Sequence, residues 1–204
     1  AIDLVQQLQN PDYKLLISHS AGDEGLEYAE WLRYYAMERG VDLCVAKKPI
    51  TSPWHHCRYH SNGNRLWNVY AHADFVTFPS LNEGFGNALL EAIYFKKPIL
   101  VNRYAAFVAD IEPKGFDLVT MDGSLSAKTV EDVRHVLQSP ARAAQMAEHN
   151  YRIARRHYSY GVLRDRLNSM MDIFKGKADS TQAAAASDTR PAISALRKRT
   201  DLNQ

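Results

Sequence analysis

Residues 75–91 read FVTFPSLNEGFGNALLE, and this segment is the most informative about the fold class. The apolar run FVTF at 75–78 predicts a buried strand, and a helical pattern runs from about residue 86 to residue 95. Between them lies a loop that contains Gly84 and Gly86. A strand, a loop and a helix in this order form the repeating unit of a parallel sheet covered by helices.

The rest of the chain repeats this alternation. Short apolar runs predict strands at 13–18, 41–45, 75–78, 99–101 and 117–120. Amphipathic patterns predict helices at 23–39, 65–73, 86–95 and 127–174, the last with breaks at 139–140 and 158–160. The segment 47–63, with prolines and glycine but no periodicity, is predicted to be an irregular loop. We therefore predict an α/β fold with a doubly wound parallel sheet and helices on both faces.

Composition places the chain among ordinary globular proteins. It has 204 residues, of which 46% are hydrophobic and 24% are charged. We predict one domain over 1–174 and a disordered basic tail over 175–204, where bulky apolar residues are scarce. No apolar run reaches the ~18 residues that a membrane span needs. The two cysteines, Cys44 and Cys57, are too few for a disulfide framework, so we expect a cytoplasmic protein.

The charge distribution indicates which classes of partner the chain can bind. The formal net charge is +2, and the tail holds six Lys/Arg against three Asp, which leaves the folded part close to neutral. A domain without a positive field is a poor candidate for nucleic-acid binding. We expect contact with a membrane surface only through the tail or a longer parent protein.

The loop at 79–86 has the chemistry of a ligand site. Ligands of open parallel sheets bind beyond the carboxyl ends of the strands, where this loop must lie. Its glycines permit close approach to a ligand, and the helix amides near Gly86, Asn87 and Ala88 can hold phosphate oxygens. Glu83 can accept hydrogen bonds from hydroxyl groups, and Glu91, one turn after Asn87, suits a vicinal diol such as a ribose.

A phosphate between two hydroxyl-rich groups describes a nucleotide sugar. A purely structural interpretation stays open at this point, because glycine-rich turns before helices are common. A carboxylate in the first turns of a helix can also serve only to complement the helix dipole.

The same residues match a known pattern. PSxxEGFGNxxxEA at 79–92, followed by KPI at 97–99, resembles the Glu-x7-Glu signature of family 4 (group 1) retaining glycosyltransferases. LxxxYxxAD at 66–74 and the opening residues 2–5 support the resemblance, which spans 1–174. It implies the Rossmann-like C-terminal half of a GT-B enzyme, in which two such domains face each other across a cleft.

The resemblance also implies roles for individual residues. It makes Glu83 the catalytic contact to the donor sugar and Glu91 the ribose ligand. The hydroxyl and phosphate contacts fall to Phe85, Gly86, Asn87 and Ala88. Such enzymes transfer a hexosyl group with retention, without a metal or other cofactor, and the leaving diphosphate helps to deprotonate the acceptor. The expected ligand is therefore a nucleotide diphosphate sugar.

Parts of such an enzyme are expected to be missing from this sequence. In the family, an Arg and a Lys that neutralise the diphosphate lie in and just after the first strand, before the helix that opens this chain. We therefore expect the first strand, its cations and the N-terminal acceptor domain to be missing. The chain by itself is expected to bind a donor without being a competent enzyme, and to expose a sheet edge.

Four further residues are weaker candidates. His19 follows the first predicted strand and Arg103 follows the strand that begins at residue 99, so both lie at the ligand edge. Arg103 is either a phosphate ligand or a surface ion-pair partner. By resemblance, Lys48 and Ile50 wall the base pocket.

A cluster of metal-binding residue types lies at 55–60. A zinc site is the alternative function of His55, His56, Cys57 and His60. Their spacing fits no standard ligand pattern, and the flanking prolines indicate a loop, so no metal is expected.

Two other functions remain open on the sequence. One is a non-catalytic module that binds a nucleotide sugar. The other is a different GT-B activity, a nucleotide-sugar epimerase or a phosphorylase.

Overall fold

The computed structural model describes residues 1–17, 25–45 and 65–187. This part of the chain contains seven α-helices and five strands. They are α1 (Ile2–Leu8), β1 (Lys14–Ile17), α2 (Gly25–Glu38), β2 (Asp42–Val45), α3 (Arg65–His72), β3 (Val76–Phe78), α4 (Asn87–Tyr94), β4 (Ile99–Asn102), β5 (Val119–Met121), α5 (Ala127–Gln138), α6 (Pro140–Tyr158) and α7 (Tyr160–Ser187).

The elements follow the predicted order closely. Both predicted breaks in the long helical region are present, since α5, α6 and α7 are separate helices. At the first break the Ser139 hydroxyl accepts a hydrogen bond from the Arg142 amide at 3.3 Å, the capping expected ahead of a proline at the first helical position. The sequence did not predict the π-helical turn Phe107–Ile111 or the 3-10 turn Glu112–Lys114.

All strand pairs are parallel, as predicted, with the difference that the described strands form two sheets. β1 pairs with β2, with Leu15 opposite Leu43. β3, β4 and β5 form the second sheet, with β4 in the centre. Backbone hydrogen bonds do not join β1 to β3, so these strands belong to different sheets. One further strand between them would unite the sheets; the missing first strand stays a prediction.

Helices cover both faces of the three-stranded sheet. All four residues of β4 are buried, and the side chains of its three apolar residues alternate between two clusters. Ile99 and Val101 pack with Leu89 and Ile93 of α4, whereas Leu100 packs with Leu4 of α1 and with side chains of α5. Each such fully buried side chain contributes about 1.5–3 kcal/mol. This packing makes β4 the rigid centre from which the neighbouring loops extend.

Helix α1 packs against both sheets. Its Ile2 lies in a cluster with Ala36, Val41 and the paired residues Leu15 and Leu43. Leu4 and Leu8 instead join the cluster around Leu100. A single short helix thus connects the two sheets through apolar contacts.

The end of the chain differs from the predicted tail. The described part of the chain divides after residue 155 into two compact units, and the predicted domain boundary at residue 174 stays a prediction. Helix α7 continues to Ser187, into the segment predicted to be disordered. The run of alanines at 183–186 explains this, because alanine has the highest helix propensity. None of the described helices is long and apolar enough to cross a membrane.

Candidate functional site

The loop within residues 75–91 lies at the carboxyl end of the three-stranded sheet. We call residues 79–86 the glycine loop; it connects the end of β3 to the start of α4. The segments that follow β4 and β5 extend from the same edge, because parallel strands end together. This edge is where the sequence places the candidate ligand site.

Gly86 is required by the geometry of the glycine loop. It precedes α4 with φ 90°, in the region that side chains disfavour. A Cβ atom there would lie 2.5 Å from the Tyr104 Oη and 2.8 Å from the Phe78 Cε1. Gly84 differs, since a Cβ atom there would meet nothing within 4 Å. The predicted need for glycine is thus steric at Gly86, while Gly84 borders open space.

The first amides of α4 make no hydrogen bond within the helix. The Leu89 amide donates to the Gly86 carbonyl at 3.0 Å, which closes the first turn. The amides of Asn87 and Ala88 come before this bond and have no carbonyl within the helix to bind. Together with the helix dipole they form a positive end suited to phosphate oxygens.

The two carboxylates of the predicted site have different surroundings. Glu83 is exposed and makes no hydrogen bond or ion pair with any residue that the structure describes. Glu91 is half-buried, and its Oε2 accepts a hydrogen bond from the Tyr70 hydroxyl at 3.1 Å. Glu83 is therefore available to a ligand, and Glu91 is held in one orientation.

Tyr70 holds Glu91 in place through this hydrogen bond. Its ring is buried and stacks on Phe95, with centroids 4.9 Å apart. Burial, and then the charge and hydrogen bond of Glu91, raise the pKa of Tyr70, so the phenol stays protonated and remains a donor. Because it uses one carboxylate oxygen, the remaining lone pairs of Glu91 can accept hydrogen bonds from a diol.

Arg103 lies at this edge but has partners of its own. Its Nε and Nη2 donate to the two carboxylate oxygens of Glu112, both at 2.9 Å, and its Nη1 lies 3.4 Å from Asp122 Oδ2. The hydrogen bond and charge of Arg103 lower the pKa of Glu112. Of the two alternatives for Arg103, this geometry favours the ion-pair partner over the phosphate ligand.

Two buried residues at this edge make contacts that the sequence did not predict. The Asn102 side chain donates to the Ser80 carbonyl at 3.1 Å and accepts from the Gly123 amide at 2.7 Å. The Tyr104 hydroxyl donates to the Phe85 carbonyl at 2.6 Å. A polar residue that ends an otherwise apolar strand, at the edge where ligands bind, is the signal that could have identified Asn102.

Several candidates lie outside the described residues: His19, Lys48, Ile50 and the zinc alternative at His55, His56, Cys57 and His60. Within the described ranges no group of three or more His, Cys, Asp or Glu side chains could hold a metal ion. That no metal or other cofactor is needed stays a prediction.

Comparison with known families identifies the class of protein to which the chain belongs. The chain matches the family model of glycosyl transferases group 1 over residues 50–153, half of its length, and it belongs to this family.

Curated relatives carry names from the same class. The chain is 35% identical over 167 residues to mannosylglucosylglycerate synthase of Thermotoga maritima, a match that covers 76% of this chain and 36% of the relative. It is 30% identical over 172 residues to D-inositol 3-phosphate glycosyltransferase of Saccharomonospora viridis, covering 80% and 36%. The chain thus spans about a third of the length of these relatives.

Solved structures share the fold. The C-terminal domain of a glycosyl transferase group 1 family protein from Francisella tularensis superposes with a TM-score of 0.60 at 17% identity, covering 78% of this chain and 76% of that domain. HepE from Anabaena, in complex with UDP, gives a TM-score of 0.64 at 16% identity, covering 84% and 43%. These matches confirm the predicted fold, the Rossmann-like C-terminal half of a GT-B glycosyltransferase.

Proposed function

We propose that this chain is the donor-binding domain of a retaining glycosyltransferase that transfers a hexosyl group from a nucleotide diphosphate sugar. The observation that carries the proposal is one continuous segment, the glycine loop with α4. It holds an exposed carboxylate at Glu83, open amides at Asn87 and Ala88, and an oriented carboxylate at Glu91. These groups suit, in order, a sugar, a diphosphate and a ribose.

The order of the groups supports a nucleotide sugar over a simple phosphate ligand. Hydroxyl groups bind well to carboxylate oxygens, and each charge-assisted hydrogen bond contributes about 1.5–3 kcal/mol. The negative diphosphate is attracted by the positive end of α4, whereas Glu83 and Glu91 would repel it. The diphosphate therefore belongs beside the helix amides, and the hydroxyl-rich sugar and ribose belong at the two carboxylates.

The chemistry assigned to these residues is electrostatic. When the glycosidic bond to the leaving diphosphate breaks, negative charge grows on the phosphate oxygens. Amides already fixed by the turn at Gly86 stabilise this charge without having to reorganise. Glu83 holds the sugar hydroxyls and so fixes the anomeric carbon relative to the acceptor, which attacks from the side of the leaving group.

The rest of the enzyme belongs to a longer protein in this proposal. The curated relatives are about three times as long as the matched segment. The acceptor site and the cations that neutralise the diphosphate are assigned to the part of such a protein that lies outside the match. We therefore expect the chain to bind donor nucleotides weakly and not to transfer sugar by itself.

The test is an NMR titration of the chain with UDP, GDP and ADP and with the corresponding nucleotide sugars. UDP is the first choice, because HepE was crystallised with it. We expect saturable shifts for one base, centred on the amides of the glycine loop and the first turn of α4. Glu91→Gln keeps the size of the side chain but removes its charge, and it should weaken binding about tenfold.

Glu131→Gln is the matched control, since this exposed carboxylate of α5 pairs only locally with Arg134. It should leave the affinity unchanged. Shifts of equal size from every polyanion, retained in Glu91→Gln, would overturn the proposal in favour of nonspecific attraction by charge.

A further inference from the structure

The glycine loop is fastened at both ends to the segment that ends β4. Near its start, the Ser80 carbonyl accepts from Asn102 Nδ2 at 3.1 Å. Near its end, the Phe85 carbonyl accepts from Tyr104 Oη at 2.6 Å. The residues between these points, 81–84, are exposed. Glu83 thus has no anchor of its own among the described residues, and its position depends on the two ends of the loop.

Asn102 joins three segments of backbone. It is 3% exposed, and its amide group donates to Ser80 after β3 while its oxygen accepts from the Gly123 amide after β5. Both bonds reach from the central strand to the loops of its two neighbours. A buried side-chain amide that loses a partner costs the desolvation of that group, so the arrangement has one stable geometry.

Tyr104 sets the direction of a peptide group. It is 2% exposed, and its hydroxyl holds the carbonyl of the peptide bond between Phe85 and Gly86. In a trans peptide the C=O and the N–H point in opposite directions. Fixing the Phe85 carbonyl toward Tyr104 therefore turns the Gly86 N–H away from the core, to the side where α4 begins.

We propose that Asn102 and Tyr104 are positioning residues for the donor site. They hold the glycine loop so that Glu83 and the Gly86 N–H face the nucleotide sugar. The inference rests on the proposed function. Both side chains are too deeply buried to touch the ligand, so their effect passes through the backbone of the loop.

Two variants break the two anchors separately. Asn102→Asp keeps the acceptor for the Gly123 amide but replaces the donor to Ser80 with a carboxylate oxygen, which repels that carbonyl. Tyr104→Phe removes one oxygen and keeps the ring, which packs against Phe78 and Phe107. Because it is the milder change, it keeps the test valid where Asn102→Asp does not fold.

The chain offers matched controls for both. Asn150 is 1% exposed and binds backbone in the same way, accepting from the Asp117 amide at 2.8 Å and donating to its carbonyl at 2.6 Å. Tyr35 donates to Asp3 at 2.7 Å, away from the glycine loop. Asn150→Asp and Tyr35→Phe therefore remove comparable bonds elsewhere in the domain.

Two readouts separate this inference from the proposed function. Backbone order parameters from NMR relaxation report the order of residues 80–88 without any ligand. Titration with UDP, GDP and ADP reports the donor site. We expect Asn102→Asp and Tyr104→Phe to lower the order parameters of the loop from about 0.85 towards about 0.6 and to weaken nucleotide binding about tenfold. Asn150→Asp and Tyr35→Phe should lower the melting temperature without either effect.

Unchanged order parameters in the loop of both variants, or unchanged affinity where the unmodified chain binds a nucleotide, would overturn the positioning role. Failure of the unmodified chain to bind any of the three nucleotides would overturn the proposed function instead. The relaxation data would then decide by themselves whether Asn102 and Tyr104 hold the loop.

Discussion

The two ends of the three-stranded sheet each contain a buried asparagine, but they differ in what is left open. At the amino end, Asn150 binds both backbone groups of Asp117, and the Asp117 carboxylate pairs with Arg142 through two hydrogen bonds. At the carboxyl end, Asn102 fastens the loops just as firmly, yet Glu83 and the first amides of α4 make no described bond within the protein.

This difference distinguishes a structural network from a candidate site. At the amino end, the hydrogen bonds of Asp117 close within the protein and stabilise the start of β5. At the carboxyl end, a rigid backbone presents polar groups that a ligand can satisfy. Preorganised groups of this kind bind without the cost of ordering them first.

Gly86→Ala should have the largest effect at the carboxyl end. The added Cβ would lie 2.5 Å from Tyr104 Oη and 2.8 Å from a ring carbon of Phe78, at a residue with φ 90°. We expect the free energy of unfolding to fall by about 3 kcal/mol or more, with loss of nucleotide binding. Urea denaturation measures the first effect and the NMR titration the second.

Gly84→Ala is its control, because a Cβ there would meet no atom within 4 Å. A loss of stability as large as that of Gly86→Ala would contradict the steric argument and indicate a general need for a flexible loop.

Asp117→Asn tests the amino end. The hydrogen bonds of Arg142 hold the pKa of Asp117 below its ordinary value of 3.8. Their stabilisation is therefore complete above that value and is lost as the pH falls through the lower pKa of the folded state. At neutral pH the variant should be less stable by about 2 kcal/mol, and the difference should shrink in acid.

Urea denaturation of both proteins between pH 7 and pH 3 measures this difference. Nucleotide affinity should not change. If Asp117→Asn weakened nucleotide binding, the separation of a structural end from a binding end would be wrong.

Tyr70→Phe should have a smaller effect, on the orientation of Glu91 and on stability. It removes the hydrogen bond to Glu91 Oε2 at 3.1 Å but keeps the ring that stacks on Phe95. We expect a loss of about 1 kcal/mol in the free energy of unfolding. The nucleotide affinity should fall about three- to tenfold, which corresponds to a similar free energy. Calorimetric titration would measure the affinity, and an unchanged value would show that Tyr70 does not orient Glu91 for the ligand.

Arg103→Gln should have the smallest effect on binding. Because Glu112 and Asp122 already engage the guanidinium, we expect the nucleotide affinity to stay unchanged and the melting temperature to fall slightly. Arg152→Gln, at an exposed arginine of α6, controls for the loss of one positive charge. A fall in affinity of about tenfold for Arg103→Gln alone would instead identify it as a phosphate ligand.

The local elements were predictable from the sequence because their signals are local. Strand β4 is a short apolar run, and the break at Pro140 is a capping pattern; both depend on neighbours in the chain. The division into two sheets was not predictable in this way. It depends on whether β1 and β3 pair, and they are separated by almost sixty residues of sequence.

The candidate site also has a part that was predictable from the sequence and a part that was not. Glu83, Gly86 and Glu91 lie within nine consecutive residues of one loop and helix, so their spacing predicted their places. The partners that hold them, Tyr70 and Tyr104, come from other elements. Both alternatives for Arg103 were compatible with the sequence, and the position of Glu112 favours the ion-pair partner.

The sequence by itself determined the order of strands and helices, the parallel α/β class and the segment that forms the candidate site. Periodicity and spacing act between residues that are close along the chain, so they can be read without coordinates. The tertiary structure alone shows that Asn102, at the end of β4, and Tyr104, just after it, anchor the glycine loop. Those hydrogen bonds join backbone and side chains from different elements, and such pairs form only when the strands pack side by side.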